Sequence, residues 1–575
     1  MSDPANGAIA DALDELGDLY ELDGAVIHRV LAYRNAARAI RDSPVGVAAL
    51  ARNGTLTSLP GIGATLEQKV LDLLNTGEIP AAVKLRARYP PGLLAITALP
   101  GLGPKRARRL FDELGIDSPA ALREAALGQR VRALKGFGPK AEASILAALD
   151  AGAAEQPRQR TVLDRALDVG ELLIAALREI SPQAQIELAG SARRRADSVK
   201  DLDIVVDDAA LLDALAGLEL LEQGARTGES AARGRTHSGL TVELRAVAGE
   251  QFGNLLQHMT GSNAHNAALR ERTTRSGLHL SEYGVLDDGE QVTHHCATEE
   301  EVYALASLSY IEPELRENRG ELDAAATGTL PRLIDISDIR GDLHAHTTAS
   351  DGRASIEEMA HAALELGYEY LAITDHSATH GFGDDVSPEQ LRRQIELVHE
   401  ADARIEGIRL LAGSEVNILP DGSPDYEDSL LAELDWVIAS VHTSFGMDRD
   451  AMTERMCNAA RHPLIDALGH PTGRLVERRP PYELDVDALI AACATSGTML
   501  EINSNPDRRD LNEIHARAAA AGGAPLLVNS DAHSTAGLSA LRYGIWTARR
   551  AWLGPADVAN TLGWSVLAKR LKRPR

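Results

Sequence analysis

The sequence predicts a multidomain chain with a helical N-terminal region, an α+β middle and a C-terminal β/α barrel. Three observations carry this reading. A Gly-x-Gly pattern followed by an amphipathic helix recurs three times before residue 150. Helical stretches alternate with β-rich runs between about 161 and 250, and seven strand candidates separated by helical patterns follow from about 339. A chain of 575 residues also exceeds what one hydrophobic core organises, so three or more domains are expected.

Composition narrows the class. Cys296, Cys457 and Cys493 are far apart and odd in number, which argues against a disulfide framework and fits a reducing cytoplasm. The start, MSDPANGAIADALDELG, has no basic n-region followed by an apolar core, and no apolar run reaches the roughly 18 residues of a membrane span. A net charge of −25 excludes a protein that coats nucleic acid indiscriminately, but leaves room for local basic patches.

The N-terminal repeats are LPGIGATLEQKVLDLL at 59–74, LPGLGPKRARRLFDEL at 99–114 and LKGFGPKAEASILAAL at 134–149. They resemble helix-hairpin-helix motifs. Glycine permits a tight turn, and backbone N–H groups at the following helix start can face a phosphate regardless of base. Candidate DNA contacts are therefore Gly61, Gly63, Gly101, Gly103, Gly136 and Gly138, with Lys105, Arg106, Arg108, Arg109 and Lys140 beside them. The stretch 79–111 also holds Lys84, Arg86 and Arg88 and no acid, so the positive patch is expected there. The polar stretch GAAEQPRQR at 152–160 reads as a linker.

In the middle, ELAGSARRRADSVKDLDIVV at 187–206 places Asp201 and Asp203 at i and i+2 on a strand. Both carboxylates then share a face and can hold two Mg²⁺ ions. Gly190 and Ser191 allow close approach of a triphosphate, and Arg193 or Arg194 can pair with its oxygens. The following β-run, LTVELRAV, adds a third acid, Glu243.

Nearly every strand candidate of the last third ends in His, Asp or Glu. In a β/α barrel these ends line one face, so residues scattered along the chain converge. The set is His344, His346, Asp351, His376, Glu415, His442, His470, Asp531 and His533. His344 with His346, and Asp531 with His533, sit two apart on strands and share faces. Nine donors exceed the needs of one four- to six-coordinate ion, so two or three ions are implied.

The order HAH…D…TDH…E…SVH…GHP…SDAH resembles the PHP (polymerase and histidinol phosphatase) domain, a distorted β/α barrel. This implies phosphoester hydrolysis with Mn²⁺, Zn²⁺ or Fe. With MTGSNAHNAALRERTTRSGLHLSEYGV and HRVLAYRNAARAI, the whole chain resembles family X DNA polymerases in their long bacterial and archaeal form. The resemblance implies an N-terminal DNA-end-binding domain at 1–92, fingers at 93–152, a nucleotidyltransferase palm at 155–254 and a thumb at 255–325. A linker at 326–338 and the PHP domain at 339–575 complete it.

It further implies a monomeric repair enzyme that binds gapped, nicked or 3′-end DNA, trims 3′ ends and fills gaps from deoxynucleoside triphosphates, with Mg²⁺ or Mn²⁺ in the palm. Two positions depart from the family pattern. The third catalytic carboxylate is Glu243 rather than Asp, and the Gly-Ser-Lys of the nucleotide site reads Gly261, Ser262, Asn263. A weakened polymerase is expected from both, and the alternative is a nuclease whose polymerase half serves as a DNA-binding scaffold. Lys69 sits where animal repair polymerases carry a Schiff-base lysine for lyase chemistry, although a helical, solvated lysine fits the position better.

Overall fold

The computed structural model describes residues 4–97, 99, 101–150, 160–381 and 385–572. The chain forms two compact units: Met1–Gln159 with Asp168–Glu187 and Lys200–Ala246, and Arg160–Leu167 with Leu188–Val199 and Val247–Arg575.

The first unit begins with helices at Asn6–Leu22 and Ile27–Arg41, the first of which buries Ile9, Leu13 and Leu16 along one stripe. Each predicted hairpin is present and all three share one construction. Gly61, Gly101 and Gly136 take positive φ of 78°, 76° and 89°. Ile62, Leu102 and Phe137 then turn inward, their N–H groups bonding Leu59, Leu99 and Leu134 carbonyls at 3.2, 3.0 and 2.9 Å. The helices Ala64–Thr76, Pro104–Leu114 and Pro139–Asp150 follow.

A five-stranded sheet completes this unit, in the order Ile186–Leu188, Asp201–Val206, Thr241–Ala246, Ala231–Thr236, Leu221–Arg226. Asp201–Val206 and Thr241–Ala246 run parallel, and the last two pairings are antiparallel.

In the second unit, helices Phe252–Thr260 and Asn263–Thr274 precede a three-stranded antiparallel meander (Leu278–Ser281, Gly284–Asp287, Val292–His294) and the helix Glu299–Leu305. Their core is Leu269, Tyr303, Ile311 and Leu315. Beside it lies a buried ion cluster. Glu299 receives Arg316 at 2.5 Å and Arg193 at 2.7 Å. Burial alone would raise its pKa, but the two guanidiniums hold it down to about 2.

A depressed acid contributes stability above its unfolded pKa that is lost as pH falls through the folded value. Denaturant midpoints should therefore hold from neutrality to about pH 4.5 and drop as the pH approaches about 2. Glu299→Gln should cost about 3–5 kcal/mol at neutral pH, because it strands the buried Arg316 and the partly buried Arg193. Urea titrations at several pH values check both statements.

All seven expected strands of the last third exist: Gly341–Ala345, Tyr370–Ile373, Arg409–Asn417, Trp436–Ser440, Ala467–Leu468, Met499–Asn503 and Leu526–Asn529. They are parallel and lie side by side in chain order, and a parallel bridge from Ala345 to Ala532 joins the last to the first. Alternation explains their continuous burial. Leu371, Ile373, Leu410 and Ala412 pack with helix residues such as Met359, Ala363 and Val398. Tyr370, Ala372, Leu411, Trp436, Ile438 and Leu527 form a separate cluster that fills the interior, joined by Leu567 and Leu571.

The three cysteines are free and buried. Among the described residues, no helix is long and apolar enough to cross a membrane.

Candidate active sites

The interior of the barrel changes character along each strand. At period two, the face bearing Leu411 continues to Glu415 and that of Met499 to Glu501, while His442 and Asp531 follow just beyond the ends of the strands bearing Ile438 and Leu527. Apolar filling therefore gives way to titratable groups at the C-terminal strand ends.

Glu415 lies at the centre. One of its oxygens is 2.9 Å from His470 and 3.3 Å from His442, and the other is 3.0, 3.4 and 3.6 Å from His376, His344 and His346. Three groups could each hold an ion: His346, Asp351, His376 and His533; His344, His346 and Asp531; His376, Glu415 and His442. Ligand atoms within each group lie within 4.8 Å of one another. His346 and His376 each belong to two groups.

Both nitrogens of His346, Nε2 of His344 and one oxygen of Glu415 are buried and make no hydrogen bond among the described residues. Buried polar atoms without partners are costly, and divalent cations would satisfy these. The donor set of imidazoles and carboxylates suits Mn²⁺, Zn²⁺ or Fe.

Electrostatics points the same way. Despite burial, surrounding imidazoles hold Glu415 and Asp531 well below the usual carboxylate range. Burial opposes charging of His376 and His533, yet neighbouring carboxylates push them up to about 10 and about 9. Burial brings His346 and His442 down to about 4, helped by other imidazoles.

All nine residues expected from the sequence converge here. One detail of the expectation is corrected: Asp531 and His533 are not on a strand, since the last strand ends at Asn529. Asp531 has a φ of +56° and His470 of +29°, so left-handed backbone, not strand alternation, aims these two inward.

The sequence reading missed the supports. Glu501 accepts from the His344 Nδ1–H at 2.7 Å, from the His470 N–H at 2.7 Å and from the Asn503 and Asn529 amides at 3.0 Å. Asp375 accepts from Thr347 and Ser350, fixing the turn that presents Asp351. His380 stacks on His376 with ring centroids 4.3 Å apart, and Arg508 approaches Asp531 at 3.6 Å. Glu501 was findable, because it lies near the end of the strand run TMLEINS as the other acids do.

In the sheet, Asp203 stands directly opposite Glu243, and Asp201 opposite Thr241. Glu243 also faces Arg233 across the next pairing, at 3.1 Å, with Arg245 at 3.9 Å. The arginines expected to meet a triphosphate are already engaged. Arg193 binds Glu299 at 2.7 Å and the Thr260 hydroxyl at 2.7 Å; Arg194 binds Glu317 at 3.0 Å and the Thr260 carbonyl at 2.6 Å. Acids about 100 residues downstream fold onto both arginines.

Gly190 begins a short helix Gly190–Arg193 that contains Ser191. Gly261 has φ +64°, Ser262 caps the helix Asn263–Thr274 by accepting from the His265 N–H, and Asn263 is exposed at its first position.

In the basic stretch several arginines also have acidic partners. Arg86 pairs with Glu15, Arg88 with Asp23, Arg108 with Asp112 and Arg109 with Glu113. Arg106 donates to the Gly101 and Gly136 carbonyls and Arg109 to that of Lys135, so these arginines brace two hairpins together. Gly61, Gly63, Gly103 and Gly138 have open space where a Cβ would point. Lys105 and Lys140 are exposed and have no ion-pair partner among the described residues. Lys69 is half-buried on the helix Ala64–Thr76.

Replacing Lys105 and Lys140 with Ala should then weaken DNA binding without loss of fold. The log–log salt slope should fall by roughly 0.9 per lost phosphate contact on duplex DNA. Fluorescence anisotropy across a salt series measures it, and an unchanged slope would place both lysines off the DNA path.

Comparison with known proteins agrees with this layout. Residues 4–79 match a helix-hairpin-helix domain family and 93–151 a SAM-like helix-hairpin-helix tandem. Residues 255–317 match the DNA polymerase beta thumb, and 342–505 the PHP domain. The DNA polymerase/3′-5′ exonuclease PolX of Bacillus subtilis is 35% identical over 568 residues, covering 98% of each chain. The chain belongs to the PolX family. Relatives that match part of the chain include a probable phosphatase of Syntrophotalea carbinolica, 28% identical over 38% of this chain and 90% of its own. Another, from Shewanella oneidensis, is 32% identical over 33% of this chain and 75% of its own.

Proposed function

We propose that this PolX family member is a DNA repair enzyme that trims 3′ ends at the barrel and fills gaps at the sheet. The observation that carries the reading is the convergence of nine imidazoles and carboxylates around Glu415, in a chain similar from end to end to a protein named as polymerase and exonuclease. Binding of DNA falls to the helix-hairpin-helix glycines, with Lys105 and Lys140 among the exposed cations beside them. The N-terminal domain is assigned to 1–92, fingers to 93–152, palm to 155–254, thumb to 255–325 and the phosphoesterase domain to 339–575.

In the barrel, the nine residues would hold two or three ions of Mn²⁺, Zn²⁺ or Fe. Bound cations supply Lewis-acid charge and lower the pKa of a coordinated water. Glu501 keeps His344 in one tautomer, with its Nε2 turned toward Glu415 and Asp531. Asp375 holds the Asp351 turn, and Arg508 is placed to meet a phosphate oxygen near Asp531.

In the sheet, Asp201, Asp203 and Glu243 would hold Mg²⁺ or Mn²⁺ while Gly190, Ser191 and the Gly261–Asn263 turn receive the deoxynucleoside triphosphate. The enzyme acts as a monomer, and its free buried cysteines suit a reducing cytoplasm. Incubation of labelled primer–template with Mn²⁺ or Mg²⁺ tests the reading. Shortening is expected without nucleotides and extension with them. Shortening alone would leave the sheet as a scaffold, and neither would remove the proposal.

A further inference from the structure

The turn that follows Gly190 and Ser191 belongs to the same compact unit as the barrel. Its contacts there converge on five residues. Arg474 binds Asp197 at 2.8 Å, and Arg509 lies 3.3 Å from the other oxygen of Asp197. Arg509 also donates to the Arg195 carbonyl at 3.0 Å, and Arg550 to the Arg194 carbonyl at 2.6 Å. The Arg195 guanidinium lies 4.3 Å from the ring centre of Trp546, and Ser198 bonds Glu477 at 2.5 Å.

Arg509 is fully buried and Arg550 nearly so, which makes these desolvated, directional contacts rather than solvent-screened surface pairs. Two of them grip backbone carbonyls, and Arg195 has a φ of +57°. Such a conformation persists only where its surroundings impose it. Simple adhesion between packed segments would spread contacts over side chains. Here buried guanidiniums fix the backbone of one turn directly after Gly190 and Ser191.

We propose that Arg474, Arg509 and Arg550 of the barrel are positioning residues for nucleotide binding. They hold the turn Arg194–Asp197 so that Gly190 and Ser191 are preset for the triphosphate. The inference rests on the assignment of that turn to triphosphate binding under the function proposed above. In physical terms, a preset loop need not lose its own freedom when ligand arrives, so releasing it weakens ground-state binding before it slows chemistry.

The test uses full-length Arg474→Gln, Asp197→Asn and their double variant. It measures nucleotide KM and kcat for primer extension, with 3′ trimming in the absence of nucleotides as the control for the barrel. The expected result is a nucleotide KM raised on the order of 10-fold, with kcat and trimming little changed. The double variant should be no worse than Asp197→Asn alone, because that change already removes the Arg474 contact together with the Arg509 one. Arg474→Lys should recover part of the effect.

Unchanged KM in both single variants, while Ser191→Ala raises it, would overturn the inference and leave the functional reading standing. If Ser191→Ala itself leaves KM unchanged, the turn is not the triphosphate site and both fall. Loss of trimming in Arg474→Gln and Arg474→Lys alike would show that the contact only holds the fold, which also overturns it.

Discussion

His344→Ala combined with His346→Ala should abolish 3′-end trimming, lowering the rate by more than ~100-fold, while DNA binding and primer extension persist. Outer-shell changes around a metal already cost about 10–100-fold, and this variant removes two first ligands. His346 belongs to two of the three candidate ion groups and His344 to one of them, so the double change damages both. Glu501→Gln offers a graded comparison. It keeps the size of the side chain but weakens the 2.7 Å contact with His344 Nδ1, and should fall within that outer-shell range. Metal content by atomic spectrometry and trimming of a labelled 3′ end should decline in parallel. Trimming at the parent rate in the double variant would move the activity away from the barrel.

The contrast between what the sequence disclosed and what it hid has a physical origin. Apolar runs and their endings are local, so the nine converging barrel residues could be read from their places at or just beyond the strand candidates. Asp201, Asp203 and Glu243 were legible for the same reason, and the register places Glu243 opposite Asp203. Charge partners are not local. Nothing near Arg193 or Arg194 indicates that Glu299 and Glu317 will occupy them, and nothing in 79–111 reveals Glu15 or Asp23 folding onto Arg86 and Arg88. A run without acids is therefore not a positive patch until its neighbours are known. Glu501 was legible from its place in TMLEINS and was passed over for another reason: it supports a neighbouring His rather than ending a His-containing motif. The backbone of Asp531 and His470 could not be foreseen either, because positive φ at a non-glycine residue leaves no mark in composition.

Asp203→Asn should remove primer extension by a factor on the order of 100 or more while leaving 3′ trimming at the parent rate. Asp203 is the centre of the acid row: it shares a strand face with Asp201 and stands opposite Glu243. Replacing it by an amide removes the charge that a Mg²⁺ ion requires from its few protein ligands. The neighbouring position should respond in the opposite sense. Glu243 is one methylene longer than aspartate and is drawn toward Arg233 at 3.1 Å, across the pairing away from Asp203. Displacement of a reacting group by about 1 Å can cost on the order of 100-fold, so Glu243→Asp should raise kcat in Mg²⁺ by up to that factor. Mn²⁺ tolerates distorted coordination better, and the parent protein should therefore extend faster in Mn²⁺ than in Mg²⁺, a difference that Glu243→Asp narrows. Asn263→Lys should act separately, lowering nucleotide KM through a phosphate contact made before the transition state. Steady-state extension kinetics in both metals distinguish the two effects. Vigorous Mg²⁺-dependent extension by the parent, unaltered by Glu243→Asp, would show that the Arg233 contact yields when DNA and nucleotide bind.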